Sequence, residues 1–504
     1  MLLAADARTG RFRADDALFG LIVVGMGAFW LVKLLDPWSP VGGDPGNWLA
    51  LGNETFGISI RSRSIAYPPL VPLVVAVAAR LAPLVPALAV IACASGLAPA
   101  VAAYHVVRPH RLGVAGALLC GLLLPGPFTT EVMNWGGYPQ LLGLALGLAA
   151  VAAFDRAVRR DGFGPLLVLA VTWMGVVATS HLAAVVTAAW LAVLGIVHLA
   201  TERTRRSVRR TAICAVVVIA AFGPFLPVYV RLAAGALSTT LVEAREPSLS
   251  LIAGSGFVFR ELWPLWLLAL IVATVSPLVA YLRRDSALWR ITVATGGGSL
   301  VLVTAVPGFR FFYPLPIPVL LGLALVVLAV RDSWARWASP VLAAAFFAVA
   351  AIAGASSFSS YRMFYDLWPS GLVEGAEWVR ASTPTDSVVV VPSRRGLPIG
   401  WWMEGLGQRR TLVGSDARWL VFDDERERAS ASNEILSAPT LEQVRARAAC
   451  RGVDTLFLPH DGDLPPAVRA EMLFATADDG RIYANAAVVI IAVPDRSSGA
   501  CPEG

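Results

Sequence analysis

Three polar stretches interrupt the chain where long apolar runs end. "DPWSPVGGDPGNW" (36–48) carries Asp44, "TTEVMNWGGYPQLL" (129–142) carries Glu131, Asn134, Trp135, Tyr138 and Gln140, and "VPGFRFFYPLPIP" (306–318) carries Arg310. A carboxylate held at such a boundary can act as a general base, and a guanidinium can grip a phosphate through forked, charge-assisted hydrogen bonds. Each group also has a plainer reading. Asp-Pro after Gly-Gly is ordinary turn chemistry, with the Asp capping a following helix. Glu131 can be a solvated loop acid. Arg310, beside Phe309, Phe311, Phe312 and Tyr313, can snorkel or anchor at a membrane interface. His181, in "ATSHLAAVV" at a turn between two apolar runs, can cap or pack rather than bind.

The elements that must position these groups are membrane helices. Of 504 residues, 57% are hydrophobic and 15% charged, and runs of the roughly 20 apolar residues that a bilayer crossing needs recur along the chain. The +6 charge and pI near 9.3 do not indicate nucleic acid, because the arginines come in short bursts between apolar runs, as a topology signal does. Spans are expected near 17–35, 84–107, 112–128, 139–154, 164–180, 181–200, 211–230, 263–282, 288–306, 314–330 and 338–356, about eleven in all. The N-terminus shows no cleavage-site pattern, so the first span reads as a retained anchor. The segment 68–82, "PPLVPLVVAVAARLA", is short and headed by prolines, which suits a re-entrant or interfacial helix. With that segment not crossing, one side collects eighteen basic residues in the flanks up to 336 and the other nine. The positive-inside rule then puts the N-terminus in the cytoplasm and everything beyond about 357 outside.

The last region differs in kind. "DSVVVVPS", "RRTLVGSD", "VDTLFLPH" and "AAVVIIAVP" are short β-branched runs bounded by Pro, Gly or Asp, whereas "LVEGAEWVRAS" and "TLEQVRARAACRG" have helical spacing. The expected division is a helical membrane bundle over 1–356 and a small extracytoplasmic α/β domain over 357–504. Cys93, Cys120 and Cys214 fall in apolar spans as small core residues. Cys450 and Cys501 share the outer region, where a disulfide persists, and are expected to pair.

This order of parts resembles the GT-C superfamily of membrane glycosyltransferases, which use polyprenyl- or dolichyl-phosphate-linked sugars. The matching parts are a single span, an outer loop with an Asp ("GGDPGNW"), an interfacial stretch opening "YPPLVPL" at Tyr67, a second acidic outer loop, and a late "RFFYPLPIPVLLGLAL" span. In addition, "PIGWWMEGLGQRRTLVGSD" (398–416) is similar to the segment after the Trp-Trp-Asp motif of oligosaccharyltransferase catalytic subunits. Here "SRRGLP" stands where that motif would be, which argues against asparagine glycosylation. The resemblance implies an integral plasma-membrane, cell-envelope enzyme of the inverting kind, for which a single base suffices, that moves a sugar from a polyprenyl-phosphate donor to an extracytoplasmic glycan, lipid or protein. It implies Asp44 and Glu131 as catalytic residues and Arg310 at the donor phosphate. Tyr67, Trp135, Tyr138, Gln140, His181, Glu404 and Asp416 are the implied substrate contacts. No metal ligand set is implied, and a divalent cation (Mg or Mn) is optional. Two other classes compete: a lipid-linked saccharide transporter or flippase, which calls for internal repeats and mid-span ionisable residues, and a non-catalytic glycan-binding protein of the same fold.

Overall fold

The computed structural model describes residues 13–36, 38–40, 42–57, 67–231, 233, 287–305, 311, 313–330, 338–397, 399–412 and 423–493. Among these, seven helices are long and apolar enough to cross a membrane. The first, Ala14–Leu35, has 22 residues and spans roughly 33 Å at 1.5 Å per residue, enough for a hydrocarbon core of about 30 Å. In chain order the bundle comprises α1 (Ala14–Leu35), α2 (Asp44–Glu54), α3 (Leu70–Leu81), α4 (Leu84–Val107), α5 (Gly113–Gly121), α6 (Pro127–Trp135), α7 (Tyr138–Arg159), α8 (Phe163–Thr179), α9 (His181–Thr201), α10 (Arg205–Phe222), α11 (Ala287–Ala305), α12 (Pro316–Val330) and α13 (Ala338–Phe364). α7 is central, with 72% of its apolar window buried, whereas the window that begins with α10 is 6% buried and faces outward.

Two departures from the expected spans have local causes. Residues 112–128 do not form one helix: α5 has nine residues and gives way to a turn before α6. Pro125 and Pro127 flank Gly126 there, so two N–H donors are missing within three residues, and about 14 Å of helix cannot cross a bilayer. α13 runs unbroken from Ala338 to Phe364, past the end of the span expected at 338–356. The expected span 263–282 lies outside the described residues. The segment 68–82 contains the 12-residue α3, about 18 Å long. It buries Val71, Pro72, Val75 and Ala76 and leaves Leu73, Val74, Val77 and Leu81 exposed.

Polar ties lock the bundle. At the Arg-rich end of the helices, Arg290 of α11 forks onto Asp155 of α7 (2.5 and 3.2 Å), and His198 of α9 lies 3.2 Å from the same carboxylate. All three are buried. Nearby, Asp16 of α1 accepts from Arg108 and from Tyr104 of α4.

Beyond α13 lie α14 (Ser370–Ser382) and a five-stranded sheet in the order β2-β1-β3-β5-β4. Its strands are β1 (Val388–Val390), β2 (Arg410–Thr411), β3 (Thr455–Pro459), β4 (Arg481–Ala484) and β5 (Val488–Ala492). β2, β1 and β3 are parallel, and β5 and β4 run antiparallel. Side chains alternate across the sheet. Val390, Leu456, Leu458, Val489 and Ile491 face a local core with helices Leu441–Cys450 and Pro466–Phe474. Val389, Val391, Phe457, Val488 and Ile490 turn the other way and are continuous with the core of the bundle. The sheet is thus packed onto the membrane part rather than tethered to it.

Candidate functional site

Asp44 is the first residue of α2, with Pro45 behind it and the partial positive charge of the helix N-terminus beneath it. The chain reaches it through Gly42, whose φ of 86° lies in the left-handed region, whereas Gly43 (φ −85°) is conventional. A Cβ at Gly42 would fall 2.5 Å from the Trp135 carbonyl carbon, so glycine alone lets the Asp44 loop lie on the end of α6. The contact is mutual. A Cβ at Gly136 (φ 98°) would stand 2.3 Å from Cδ of Pro45 and 3.2 Å from Cβ of Asp44, and Nε1 of Trp48 donates to the Gly136 carbonyl at 2.8 Å.

Glu131 sits on α6, the short helix that ends at this contact. Burial pushes its carboxyl up to about 7, against the pull of the Tyr365 and Tyr313 hydroxyls. Tyr365 also touches the Asp44 loop, its carbonyl accepting from the Gly42 N–H at 3.2 Å. The two carboxylates therefore share one neighbourhood with opposite surroundings, one at a helix dipole and one in a dry pocket, the pattern that separates acid from base roles. Because the folded chain holds a proton on Glu131 that the unfolded chain (4.5) releases, its stabilising contribution is complete below about 4.5 and is lost as pH rises through about 7. If Glu131 takes part in the chemistry of the site, a pH profile of activity should show an inflection near 7 that Glu131→Gln removes; an unchanged inflection in the Gln variant would assign it elsewhere.

Around the carboxylates the aromatic residues form a wall. Tyr67 packs on Trp48 (4.6 Å) and meets His181 edge-on (5.4 Å), while Tyr313 contacts Phe128 (5.7 Å) and Trp135 (6.2 Å). Tyr138 and Gln140 open α7 fully inside the protein, and Asn47 of α2 is buried as well. The Tyr138 hydroxyl, the Gln140 amide nitrogen and both polar atoms of Asn47 have no hydrogen-bond partner among the described residues, which is the kind of unspent polarity that a substrate or water satisfies. The structure brings together Asp44, Glu131, Trp135 and Tyr138, with Tyr67 and His181 adjoining through Trp48. Arg310 and Asp416 lie outside the described residues. No group of three or more His, Cys, Asp or Glu suited to a metal occurs among the described residues.

The C-terminal sheet domain forms the third side. The turn Gly400–Gly407 is pressed into α2: a Cβ at Gly405 would meet the Gly46 carbonyl oxygen at 2.7 Å, and Asn53 donates to the Gly405 carbonyl. Trp402 Nε1 donates to the Gly42 carbonyl at 2.9 Å, and its ring stacks on Trp368. Glu404 is buried and accepts from the Thr411 hydroxyl at 2.9 Å. Trp402 lies fully buried in the short helix Gly400–Trp402. Its bond to the Asp44 loop, 360 residues away, leaves no local signal. The "SRRGLP" residues also have a visible task. Arg394 forks onto Asp461 (2.7 and 2.6 Å) and donates to the Asp366 carbonyl, and Arg395 donates to the Met363 and Phe364 carbonyls at the end of α13. Cys450 is disulfide-bonded; Cys501, its expected partner, lies outside the described residues.

No protein-family model matches the sequence, and no curated protein matches it at a significant level. Solved structures do match. The oligosaccharyltransferase of Archaeoglobus fulgidus superposes with a TM-score of 0.58 at 12% identity, over 87% of this chain and 68% of that one. ArnT from Cupriavidus metallidurans, solved with undecaprenyl phosphate bound, gives 0.52 at 14% over 96% and 99%. The arabinofuranosyltransferase AftD from Mycobacteria gives 0.56 at 14%, over 96% of this chain and 40% of that one. The chain thus has the fold of the GT-C membrane glycosyltransferases, and at these identities the likeness speaks for fold alone.

Proposed function

We propose that this protein is a membrane glycosyltransferase that moves a sugar from a polyprenyl-phosphate donor to an acceptor hydroxyl, with Asp44 as its base. The observation that carries this reading is the junction of the two outer loops, which holds Asp44 and Glu131 together under an aromatic wall. The undecaprenyl phosphate bound by ArnT, a protein that this chain matches along nearly its whole length, supports the donor class. In the reaction the acceptor oxygen attacks the anomeric carbon and its proton passes to Asp44. The bond from that carbon to the phosphate oxygen breaks, and its electron pair leaves on polyprenyl phosphate, with inversion at the sugar. Arg310 meets the charge of the departing phosphate. Glu131, its carboxyl raised to about 7 by burial, holds the acceptor, and no step of this reading calls for a metal. Transfer is accordingly expected to survive chelation.

The direct test is to supply the reconstituted protein with polyprenyl-phosphate sugars and follow release of polyprenyl phosphate by mass spectrometry. Release coupled to a glycosylated acceptor supports the reading; intact donor carried across the bilayer would favour a flippase. Arg310→Ala should raise the apparent donor KM with little effect on the acceptor KM, and Arg310→Lys should also weaken donor use, because a fork becomes a point charge. Equal damage to both substrates would make Arg310 structural.

The active face is placed outside the cytoplasm, with the division near 356/357 separating the bundle from the outer domain. The basic asymmetry of the sequence and the disulfide at Cys450 both support this side. Reporter fusions after Arg160 and after Ser360 should read inside and outside; the reverse result would move the chemistry to the cytoplasm.

A further inference from the structure

A pocket of about 210 Å³ opens between the C-terminal ends of α1 and α13, lined by Lys33, Asp36, Ser359, Arg362 and Asp366 over a floor that includes Phe358. None of its lining residues is among those that form the Asp44–Glu131 junction, and the sugar-transfer reading does not use it. At about 30 Å³ per water, the space amounts to roughly seven waters, too large for an ion and suited to a small headgroup. Its rim lies among exposed Val32, Trp38, Met363 and Phe364, the apolar and Trp-bearing surface expected where a protein meets the headgroup layer.

The charges decide what fits. Two cations face two carboxylates, so the lining is formally neutral. Lys33 is the only lysine in the sequence. The Arg362 guanidinium is buried, donates to the Ser39 carbonyl (3.1 Å) and hydroxyl (2.9 Å), and stands 3.7 Å from Asp366. Asp366 already accepts from the Ser39 hydroxyl at 2.9 Å and faces Arg362, so a purely anionic headgroup would set Asp36 against like charge, whereas a zwitterion pairs both signs. A quaternary ammonium is best held by an aromatic cage, and Phe358, already buried, is the one aromatic residue in the lining. Carboxylates instead suit an ammonium that can donate hydrogen bonds.

We infer that this pocket binds a phospholipid headgroup carrying a phosphate and a primary ammonium, with Lys33 on the phosphate and Asp36 and Asp366 on the ammonium. Bound there, the lipid braces Arg362 and Ser39 just ahead of the Asp44 loop. The inference does not rest on the proposed transferase activity, and its test reads lipid rather than turnover.

The full-length protein is placed in phosphatidylcholine nanodiscs doped with either phosphatidylethanolamine or phosphatidylglycerol, and the retained lipid is counted by native mass spectrometry. Wild type should retain phosphatidylethanolamine about tenfold over either competitor, the size of one charge-assisted hydrogen bond. Asp36→Lys, at an exposed position, should lose that preference and gain phosphatidylglycerol; Lys33→Glu should lose phosphatidylethanolamine without gaining phosphatidylglycerol. Folding of both variants is checked by thermal melting. Equal retention of the three lipids by wild type, or an Asp36→Lys ratio matching wild type, would overturn the inference.

Discussion

Asp44→Asn is expected to slow sugar transfer by at least about 10²-fold, the low end for losing a positioned general base. The amide keeps the size of the carboxylate and its place at the start of α2, but it cannot take the acceptor's proton. Donor binding should persist, because the residue proposed to hold the phosphate is Arg310 rather than Asp44. The variant should therefore show a fallen kcat with a donor KM near wild type. Its melting temperature should also stay close to wild type, since Pro45 and the Gly42–Trp135 contact that fix the loop are untouched. Full activity in the Asn variant would return Asp44 to the role of a turn residue and would leave Glu131 as the carboxylate to test next.

The largest stability effect is expected at the other end of the bundle. Asp155→Asn should destabilise the protein by about 3–5 kcal/mol, because it leaves the Arg290 charge buried between helices without its counter-ion. Arg290 is 3% exposed and His198 fully buried, so water cannot replace the carboxylate. A double replacement, Asp155→Leu with Arg290→Met, should recover most of the loss, since a matched apolar pair carries no orphaned charge. Thermal unfolding in detergent distinguishes the cases. A single variant that melts like wild type would show that the cluster is wetter than its burial implies.

Much of this architecture is legible in the sequence, and where it is not the reasons are physical. Long apolar runs such as 17–35 and 139–154 became α1 and α7, since length and hydropathy alone decide such helices. The run at 112–128 has the hydropathy of a span but loses its helix at Pro125-Gly126-Pro127, where missing donors override composition. In the outer domain, the helix expected from "TLEQVRARAACRG" starts at the Thr440 cap, whose hydroxyl accepts from the Gln443 N–H. β4 escaped notice because it is four residues long, mostly exposed, and set on an edge between Gly480 and Asn485, so it lacks an alternating pattern. Within the site, Asp44, Glu131, Trp135 and Tyr138 stood out as polar or amphipathic residues at membrane depth. Tyr365 and Trp402 did not, because each acts through a backbone bond to Gly42 from more than three hundred positions away. The buried triad Asp155, His198 and Arg290 was hidden for the same reason, one residue falling on each of three helices.

The bond from Trp402 to Gly42, with the Gly405 turn wedged into α2, has a consequence for biosynthesis. The loop bearing Asp44 leaves the ribosome well before Trp402 does, so a face of it is made only 360 residues later. Contacts so distant along the chain form late. A nascent or truncated chain ending before the outer domain would insert its helices and expose Asp44 without the surface that sets its position. The surface that sets Asp44 is therefore complete only once Trp402 and Gly405 have been made and folded onto α2.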